Sequence, residues 1–258
     1  MPKAIQLFQD IEQWRKFRQA NLTEQSVGFV PTMGVLHKGH VSLMKTSQQE
    51  NDLTVVSLFV NQTQFNNSED FSKYPRPLEA DLELLQQAGV DICLLPDHQS
   101  MYKDNYRYRI LENLQSERME GIIRPGHFTG VLTVVMKLLQ LVKPTRAYFG
   151  EKDYQQYQLI RDMVDAFFMD IEVKACPTIR ESSQLPYSSR NQRFSPEQRA
   201  LAEQVAKIFH QKISIQETLS QLAAIEVPVD YLEEHENRRF IAVNIDDIRV
   251  IDNYATTT

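Results

Sequence analysis

Phe29-Val-Pro-Thr-Met-Gly-Val-Leu-His-Lys-Gly-His40 places two histidines three residues apart, with Lys38 and Gly39 between them. At that spacing both imidazoles can face one side of the first turn of a helix. There they can donate hydrogen bonds to phosphate oxygens and stabilise the charge that builds up during phosphoryl displacement. Gly39 leaves room for a ligand against the free N–H groups of the helix start, which attract anions. Two other readings compete. Gly34 and Gly39 have the gap of a P-loop, but His-Val follows where that motif needs Lys-Ser/Thr. The pair could also ligate a metal, yet no cysteine or acidic residue stands nearby at zinc-site spacing.

Four further segments carry groups of the same kind. In Val60-Asn-Gln-Thr-Gln-Phe65, Asn61 and Gln64 are neutral amides that suit hydroxyl and carboxylate groups, although such residues also simply cap turns. Arg124 and His127, in Gly121-Ile-Ile-Arg-Pro-Gly-His-Phe-Thr-Gly130, are donors ahead of an apolar helix; they suit an anion, or a plain surface turn capped by Thr129. Phe149-Gly-Glu-Lys-Asp-Tyr-Gln-Gln156 offers close approach at Gly150, a point charge at Lys152 and a carboxylate at Asp153 for Mg²⁺ or a ribose. Ile179-Arg-Glu-Ser-Ser-Gln-Leu-Pro-Tyr-Ser-Ser-Arg-Asn191 carries hydroxyls and a guanidinium that can bind a triphosphate, as a mobile closing loop or as a mere polar linker.

The elements that must position these groups alternate along the chain. Ser26–Pro31 and Leu53–Val60 are β-branched and almost continuously apolar, as strands buried on both faces are. A helix is predicted between them, from about Gly39 to Asn51. A second helix, Pro77–Ala88 with Gly89 as its C-cap, precedes a strand at Asp91–Pro96. Arg146–Gly150 and Ile171–Ala175 flank a helix over Tyr154–Phe168. Repeated strand–helix–strand units predict an α/β fold on a parallel sheet, whose loops at the carboxyl strand ends bind ligands. After about residue 177 the texture changes. Ser195 and Pro196 open a helix, and strand-like runs follow at Val229–Leu232, Phe240–Ile245 and Ile248–Ile251. A small α+β domain is expected there, with the boundary near 176–180.

Composition narrows the classes. The 258 residues, 42% hydrophobic and 24% charged, fit one large domain or two smaller ones and rule out disorder. A net charge of −6 argues against a general nucleic-acid surface. The longest apolar stretch, Val131–Val142, is too short and too polar to span a bilayer, and the N-terminal MPKAIQLFQD lacks a signal-peptide core. Cys93 and Cys176 form no paired framework and are expected as reduced, buried thiols of a cytoplasmic protein. Glycine is scarce, with eight residues, and six of them (Gly34, Gly39, Gly121, Gly126, Gly130, Gly150) fall in or beside the segments between elements.

Taken together, Pro31–His40, Phe59-Val-Asn-Gln-Thr-Gln-Phe65, Tyr74-Pro-Arg76, Arg124–Val131, Phe149–Gln156 and Ser188-Ser-Arg-Asn191 resemble, in order and spacing, the pantoate–β-alanine ligase (pantothenate synthetase) family. The similarity runs to the closing Arg249-Val-Ile-Asp-Asn253. Alone, His37-Lys-Gly-His40 would indicate only the wider H-x-G-H nucleotidyltransferase superfamily. The resemblance implies a Rossmann-like ATP- and pantoate-binding domain over residues 1–177, a small C-terminal lid domain over 178–258, and a homodimer. It implies ATP with Mg²⁺, two half-reactions through pantoyl adenylate, and no nucleic-acid or membrane partner. Position by position, Met33, Gly34, Val35, Leu36, His37, Lys38, Gly39 and His40 would contact ATP, with His40 as acid or donor and His37 supporting the phosphates. Gly150, Glu151, Lys152, Asp153, Ile179, Tyr187, Ser188, Ser189 and Arg190 would complete the nucleotide site, with Lys152 and Arg190 neutralising charge. Gln64 and Gln156 would hold pantoate, with Asn61 beside them; Mg²⁺ would arrive on ATP without an assigned protein ligand.

The chain departs from the family pattern in two places. Gln62-Thr63 replaces a Pro-containing pair, which should loosen the turn that presents Gln64. Ser183-Gln184-Leu185-Pro186 replaces Asp-Gly-Leu-Ala, which should alter lid closure and turnover. The C-terminal strands also read as compressed. The alternatives are a catalytically impaired pantoate- and ATP-binding relative, or another H-x-G-H acid-adenylating enzyme.

Overall fold

The structure is a computed structural model that describes residues 4–66 and 68–256. Met1–Lys3, the start of the stretch read above for targeting, lie outside the described residues. The chain runs β1 (Gln6–Phe8), α1 (Ile11–Asn21), β2 (Val27–Thr32), α2 (Lys38–Glu50), β3 (Leu53–Leu58), α3 (Ser68–Lys73), α4 (Leu78–Gln87), β4 (Ile92–Leu94), α5 (His98–Met101), α6 (Glu120–Ile123), α7 (His127–Val142), β5 (Arg146–Gly150), α8 (Tyr154–Ala166) and β6 (Glu172–Cys176). It closes with α9 (Pro196–Phe209), α10 (Ile215–Ala224), β7 (Val229–His235), β8 (Arg238–Ile245) and β9 (Ile248–Ala255). Two compact units result. One holds Met1–Leu36, His40–Gly150 and Gln155–Cys176; the other holds His37–Gly39, Glu151–Tyr154 and Pro177–Thr258. Parts of two strand-end loops therefore belong with the C-terminal residues, which no single cut of the sequence expresses.

The first unit is built on a parallel sheet of order β1-β4-β3-β2-β5-β6. Its strands read as continuously apolar because both faces are covered. Val27, Phe29, Val55, Ile92 and Leu94 join a core with Trp14 of α1, Leu132 and Leu139 of α7 and Ile160 of α8. Their alternates Val30, Val56 and Cys93 join a second core with Leu43 and Met44 of α2 and Leu85 of α4. From β2 the chain steps outward through β3 and β4, then returns to β2's other side as β5, in register Gly28↔Arg146 and Phe29↔Ala147. The segments leaving β2 and β5 thus start at a topological switch point, where open α/β sheets bind ligands.

In the second unit an antiparallel sheet β7-β8-β9 is covered by α9 and α10. Val205, Ile208, Phe209, Leu222, Val227, Ile241 and Val243 form its core. Ser195 and Gln198 exchange the reciprocal bonds of a capping box, with Pro196 in the first turn, as the Ser-Pro pair predicts. The strands are not compressed: each has seven or eight residues. Half-polar positions on a sheet with one covered face hid their ends from an apolar reading.

Candidate active site

Within the first unit, the segment after β2 is set by hydrogen bonds from its own neighbours. The Gly34 N–H donates to Thr32 Oγ1 at 3.2 Å, and that hydroxyl donates to the Ser57 carbonyl at 2.8 Å. Gly34 (φ +80°) and Val35 (φ +53°) both adopt left-handed backbone. For a β-branched residue this is an uncommon and strained conformation. The Asp81 carboxylate of α4 compensates by accepting the Val35 N–H at 2.9 Å and the Leu36 N–H at 2.7 Å. A Cβ at position 34 would lie 2.8 Å from Asp81 Oδ2, so glycine is required there. His40 is the third residue of α2 and is half-buried.

Gln64 sits on a short 3-10 turn, Gln62–Gln64, capped by Asn61. The Asn61 Oδ1 accepts from the Tyr102 hydroxyl at 2.8 Å and from Thr63 Oγ1 at 3.0 Å; its Nδ2 donates to Gln64 Oε1 at 3.1 Å and to the Gly130 carbonyl at 3.2 Å. Burial pushes the Tyr102 hydroxyl up to about 12, so it stays a donor. Asn61 is buried, and both ends of its amide are engaged inside the protein. It orients Gln64, whose own Nε2 meets, among the described residues, only the weak acceptor Met33 Sδ, at 3.1 Å. These bonds close the turn without the family's proline.

Arg124 and His127 do not stand free for an anion. His127 Nδ1 donates to the Gln64 carbonyl at 2.8 Å, which leaves Nε2 to accept from Arg124 Nη1 at 3.1 Å. Gly126, not Thr129, is the N-cap of α7, with φ +81°. Gly130 lets the helix touch the turn: a Cβ there would come within 2.3 Å of the Thr63 carbonyl oxygen. Of the adjacent glutamines of α8, Gln155 is buried and donates to the Gln115 and Arg118 carbonyls at 2.8 and 2.9 Å. Gln156, the expected pantoate ligand, is half-buried, as is Gly150 at the end of β5.

The second unit collects the charged and hydroxyl groups. His37 Nδ1 accepts the Gly39 N–H at 3.2 Å, so the neutral ring carries its proton on Nε2. Burial, reinforced by the positive charge of Lys152 and partly opposed by Asp153, holds its pKa at about 4. His37 is therefore a neutral hydrogen-bond donor at pH 7. Its ring stacks with Tyr187, centroids 6.4 Å apart, and Lys38 Nζ lies 5.6 Å from the same ring. Lys152, on the 3-10 turn Glu151–Asp153, has its Nζ 3.6 Å from Asp153 Oδ1. The Tyr187 N–H donates to the Ile179 carbonyl at 3.1 Å, and Ser188 caps the 3-10 turn of Ser189 and Arg190.

Ser183–Pro186 forms a tight turn here. Glu181 N donates to Leu185 O at 2.9 Å, Gln184 N to Glu181 O at 3.0 Å, and Arg180 Nη1 to Gln184 O at 3.0 Å. Gln184 adopts φ +72°, the conformation glycine favours, with its side chain exposed. Leu185 is buried in the unit's core with Ala202, Ala206 and Ile245.

The pantoate–β-alanine ligase family model matches residues 6–255. The chain belongs to the pantoate–β-alanine ligase family. It is 56% identical to the pantothenate synthetase of Legionella pneumophila strain Corby over 250 residues, 97% of this chain and 99% of that one. To that of Coxiella burnetii strain Dugway 5J108-111 it is 49% identical, covering 98% and 96%. Among solved structures, the pantoate–β-alanine ligase of Francisella tularensis, complexed with β,γ-ATP and β-alanine, is similar at TM-score 0.95 and 40% identity, with 99% of each chain covered. The Thermus thermophilus pantothenate synthetase follows at TM-score 0.90 and 38% identity, covering 98% and 100%. The Rossmann-like parallel sheet and small antiparallel sheet are the family's architecture in this chain.

Asp81, Tyr102 and His127 were not legible as positioning residues. Each acts on a backbone or side chain distant in sequence, and no local pattern marks that role. His127 did lie inside a stretch already noted, as a candidate anion donor.

Proposed function

We propose that this chain condenses pantoate with β-alanine by way of pantoyl adenylate. It is an ATP-dependent carbon–nitrogen ligase. A pantoate carboxylate oxygen attacks the α-phosphorus of ATP, and the bond to the bridging oxygen breaks to release pyrophosphate. The β-alanine amine then attacks the acyl carbon, and AMP leaves with its phosphate oxygen. Adenylation replaces hydroxide, a poor leaving group, with AMP. The observation that carries this reading is the match over residues 6–255, in a sequence that carries His37, His40, Lys152, Ser188, Ser189 and Arg190 as well as the neutral amides Gln64 and Gln156. The amides suit an unphosphorylated hydroxy acid; a phosphorylated one would call for more arginine and lysine.

In this reading, Gln64 exchanges its weak Met33 partner for a pantoate oxygen, and Gln156 supplies a second amide. His40 donates to charge developing at the phosphate, neutral His37 donates from Nε2, and Lys152 and Arg190 neutralise the leaving pyrophosphate. Met33–Gly39, Gly150–Asp153, Ile179 and Tyr187–Ser189 line the nucleotide. Residues 1–177 bind ATP and pantoate, and residues 178–258 serve as the lid that keeps water from the acyl adenylate. Mg²⁺ would arrive on the ATP phosphates, where its charge would help neutralise the triphosphate, with no protein ligand assigned to it.

The working form is a homodimer in the cytoplasm. Tyr108, Leu111, Leu114 and Ile122 leave large apolar side chains exposed in one stretch of the first unit, which suits a second copy. Light scattering is expected to give twice the 30.0 kDa of one chain. Cys93 and Cys176 are buried thiols outside any disulfide among the described residues, in keeping with a reducing compartment. No described helix is long and apolar enough to cross a membrane.

The assay that tests the reading supplies ATP and pantoate with and without β-alanine. Pantoate-dependent pyrophosphate without β-alanine, and pantothenate only with it, is the expected result. Binding of ATP and pantoate with no pyrophosphate would favour the catalytically impaired relative instead.

A further inference from the structure

We infer that Asn253 is a positioning residue for Lys152, an inference that rests on the ligase reading above. The Asn253 Nδ2 donates to the backbone carbonyls of both Glu151 and Lys152, each at 2.9 Å. Two consecutive carbonyls of the 3-10 turn are thus fixed by one amide of β9, about a hundred residues away in sequence. Asn253 is buried, and its remaining polar atoms are held in turn. Its Oδ1 accepts from Arg238, its N–H donates to Asp252 Oδ1 at 2.7 Å, and its carbonyl accepts from Arg180 Nη2 at 3.1 Å.

Behind it stands a second layer. Asp252 is buried and accepts both arms of Arg180, at 2.7 and 2.8 Å, and His210 Nε2 at 2.9 Å. Arg238 bounds the turn from β8: its guanidinium lies 3.8 Å from the Tyr154 ring centroid and 3.4 Å from Glu151 Oε2. The turn is therefore held on each side of Lys152, at residues 151 and 154, as well as at the Lys152 carbonyl itself.

Such an arrangement matters for lysine in particular. Its ammonium is a point charge on a four-carbon stem with no geometry of its own, so where the charge falls depends on where the backbone is fixed. Misplacing a catalytic group by about 1 Å costs on the order of 10²-fold in rate. A turn needed only for folding would require satisfied carbonyls, which water would supply at a surface. A buried amide that takes two consecutive carbonyls fixes direction as well.

The test is a double-mutant cycle on pantoate-dependent pyrophosphate release by the full chain, with rates normalised to folded protein. Asn253→Ala is expected to lower kcat for adenylation by about 10²-fold, with KM for pantoate nearly unchanged. In a Lys152→Met background the same substitution is expected to change the residual rate by less than about twofold, because the group it positions is gone. Asn253→Ser, which keeps one donor and less volume, is the second variant should the alanine fold poorly; an intermediate loss is expected. Equal losses in the two backgrounds, or no loss in either Asn253 variant, would overturn the inference. Failure of the wild-type chain to release pyrophosphate would instead overturn the ligase reading.

Discussion

Asp81 holds Val35 in left-handed backbone through a single carboxylate oxygen 2.9 Å from its N–H, while the other oxygen takes the N–H of Leu36 at 2.7 Å. The segment that begins the H-x-G-H loop is therefore moored to α4, not merely turned by Gly34. A non-glycine residue at positive φ costs about 1–2 kcal/mol, and charge-assisted bonds to two backbone donors are of a size to offset it. Asp81→Asn places an amide hydrogen against one of those donors. It is expected to raise KM for ATP about tenfold and to lower stability by about 1–3 kcal/mol, measured by initial rates and urea unfolding. An unchanged KM would mean that the loop finds its conformation without α4.

His40 and His37 should behave differently on substitution. His40→Ala removes a donor to the transition state, and adenylate formation is expected to fall by about 10²-fold or more while ATP affinity weakens far less. Single-turnover pyrophosphate release beside equilibrium ATP binding makes the comparison. Equal losses in both would contradict the role given to His40.

The His37 imidazole sets a pH dependence in the free protein. Its folded pKa of about 4 lies below the usual 6.5, so the unfolded chain binds the proton more tightly. Stability from this group is fully present above about pH 6.5 and is lost as pH falls toward 4. The loss is at most ~3 kcal/mol, less what solvent screening removes. His37→Gln is expected to flatten the fall in melting temperature between pH 6.5 and 4. An unaltered slope would contradict a buried, neutral ring.

The Ser183–Pro186 turn carries strain that the family's glycine avoids. Gln184 sits at φ +72° with its side chain exposed, and Ser183 Oγ is buried without a hydrogen-bond partner among the described residues. Gln184→Gly is expected to stabilise by up to about 1 kcal/mol, and Ser183→Ala to be neutral or stabilising by a similar amount. Thermal unfolding checks both. A loss of stability in Gln184→Gly would mean that the glutamine makes a contact in solution that outweighs its backbone cost.

The parallel sheet was legible because Val27–Thr32 and Leu53–Leu58 are buried on both faces, which writes an apolar run into the sequence. β1 has only three residues, too few to show a pattern, whereas Ile11, Trp14 and Phe17 of α1 stand three apart and pack on the core, a signal that was there to be read. α10 did have a signal: Ser214 and Glu217 stand at capping-box spacing, and the structure contains that box. In the site, the types and order of His37, His40, Gln64 and Lys152 could be read directly. What could not be read is how they are held, because Asp81, Tyr102, His127 and Asn253 each reach across tens of residues to a backbone or an amide. Arg124 and His127 show the limit plainly. Their composition suits an anion, and their geometry serves the Gln64 carbonyl.

The central claim is that pantoate attacks the α-phosphorus of ATP. Turnover with pantoate labelled with ¹⁸O in both carboxylate oxygens, followed by mass spectrometry of the products, tests it most directly. One ¹⁸O atom in AMP and none in pyrophosphate is the predicted result, since the attacking oxygen stays on the adenylate when β-alanine takes the acyl group. Label in inorganic phosphate, with ADP in place of AMP, would mean attack at the terminal phosphorus and would contradict the account.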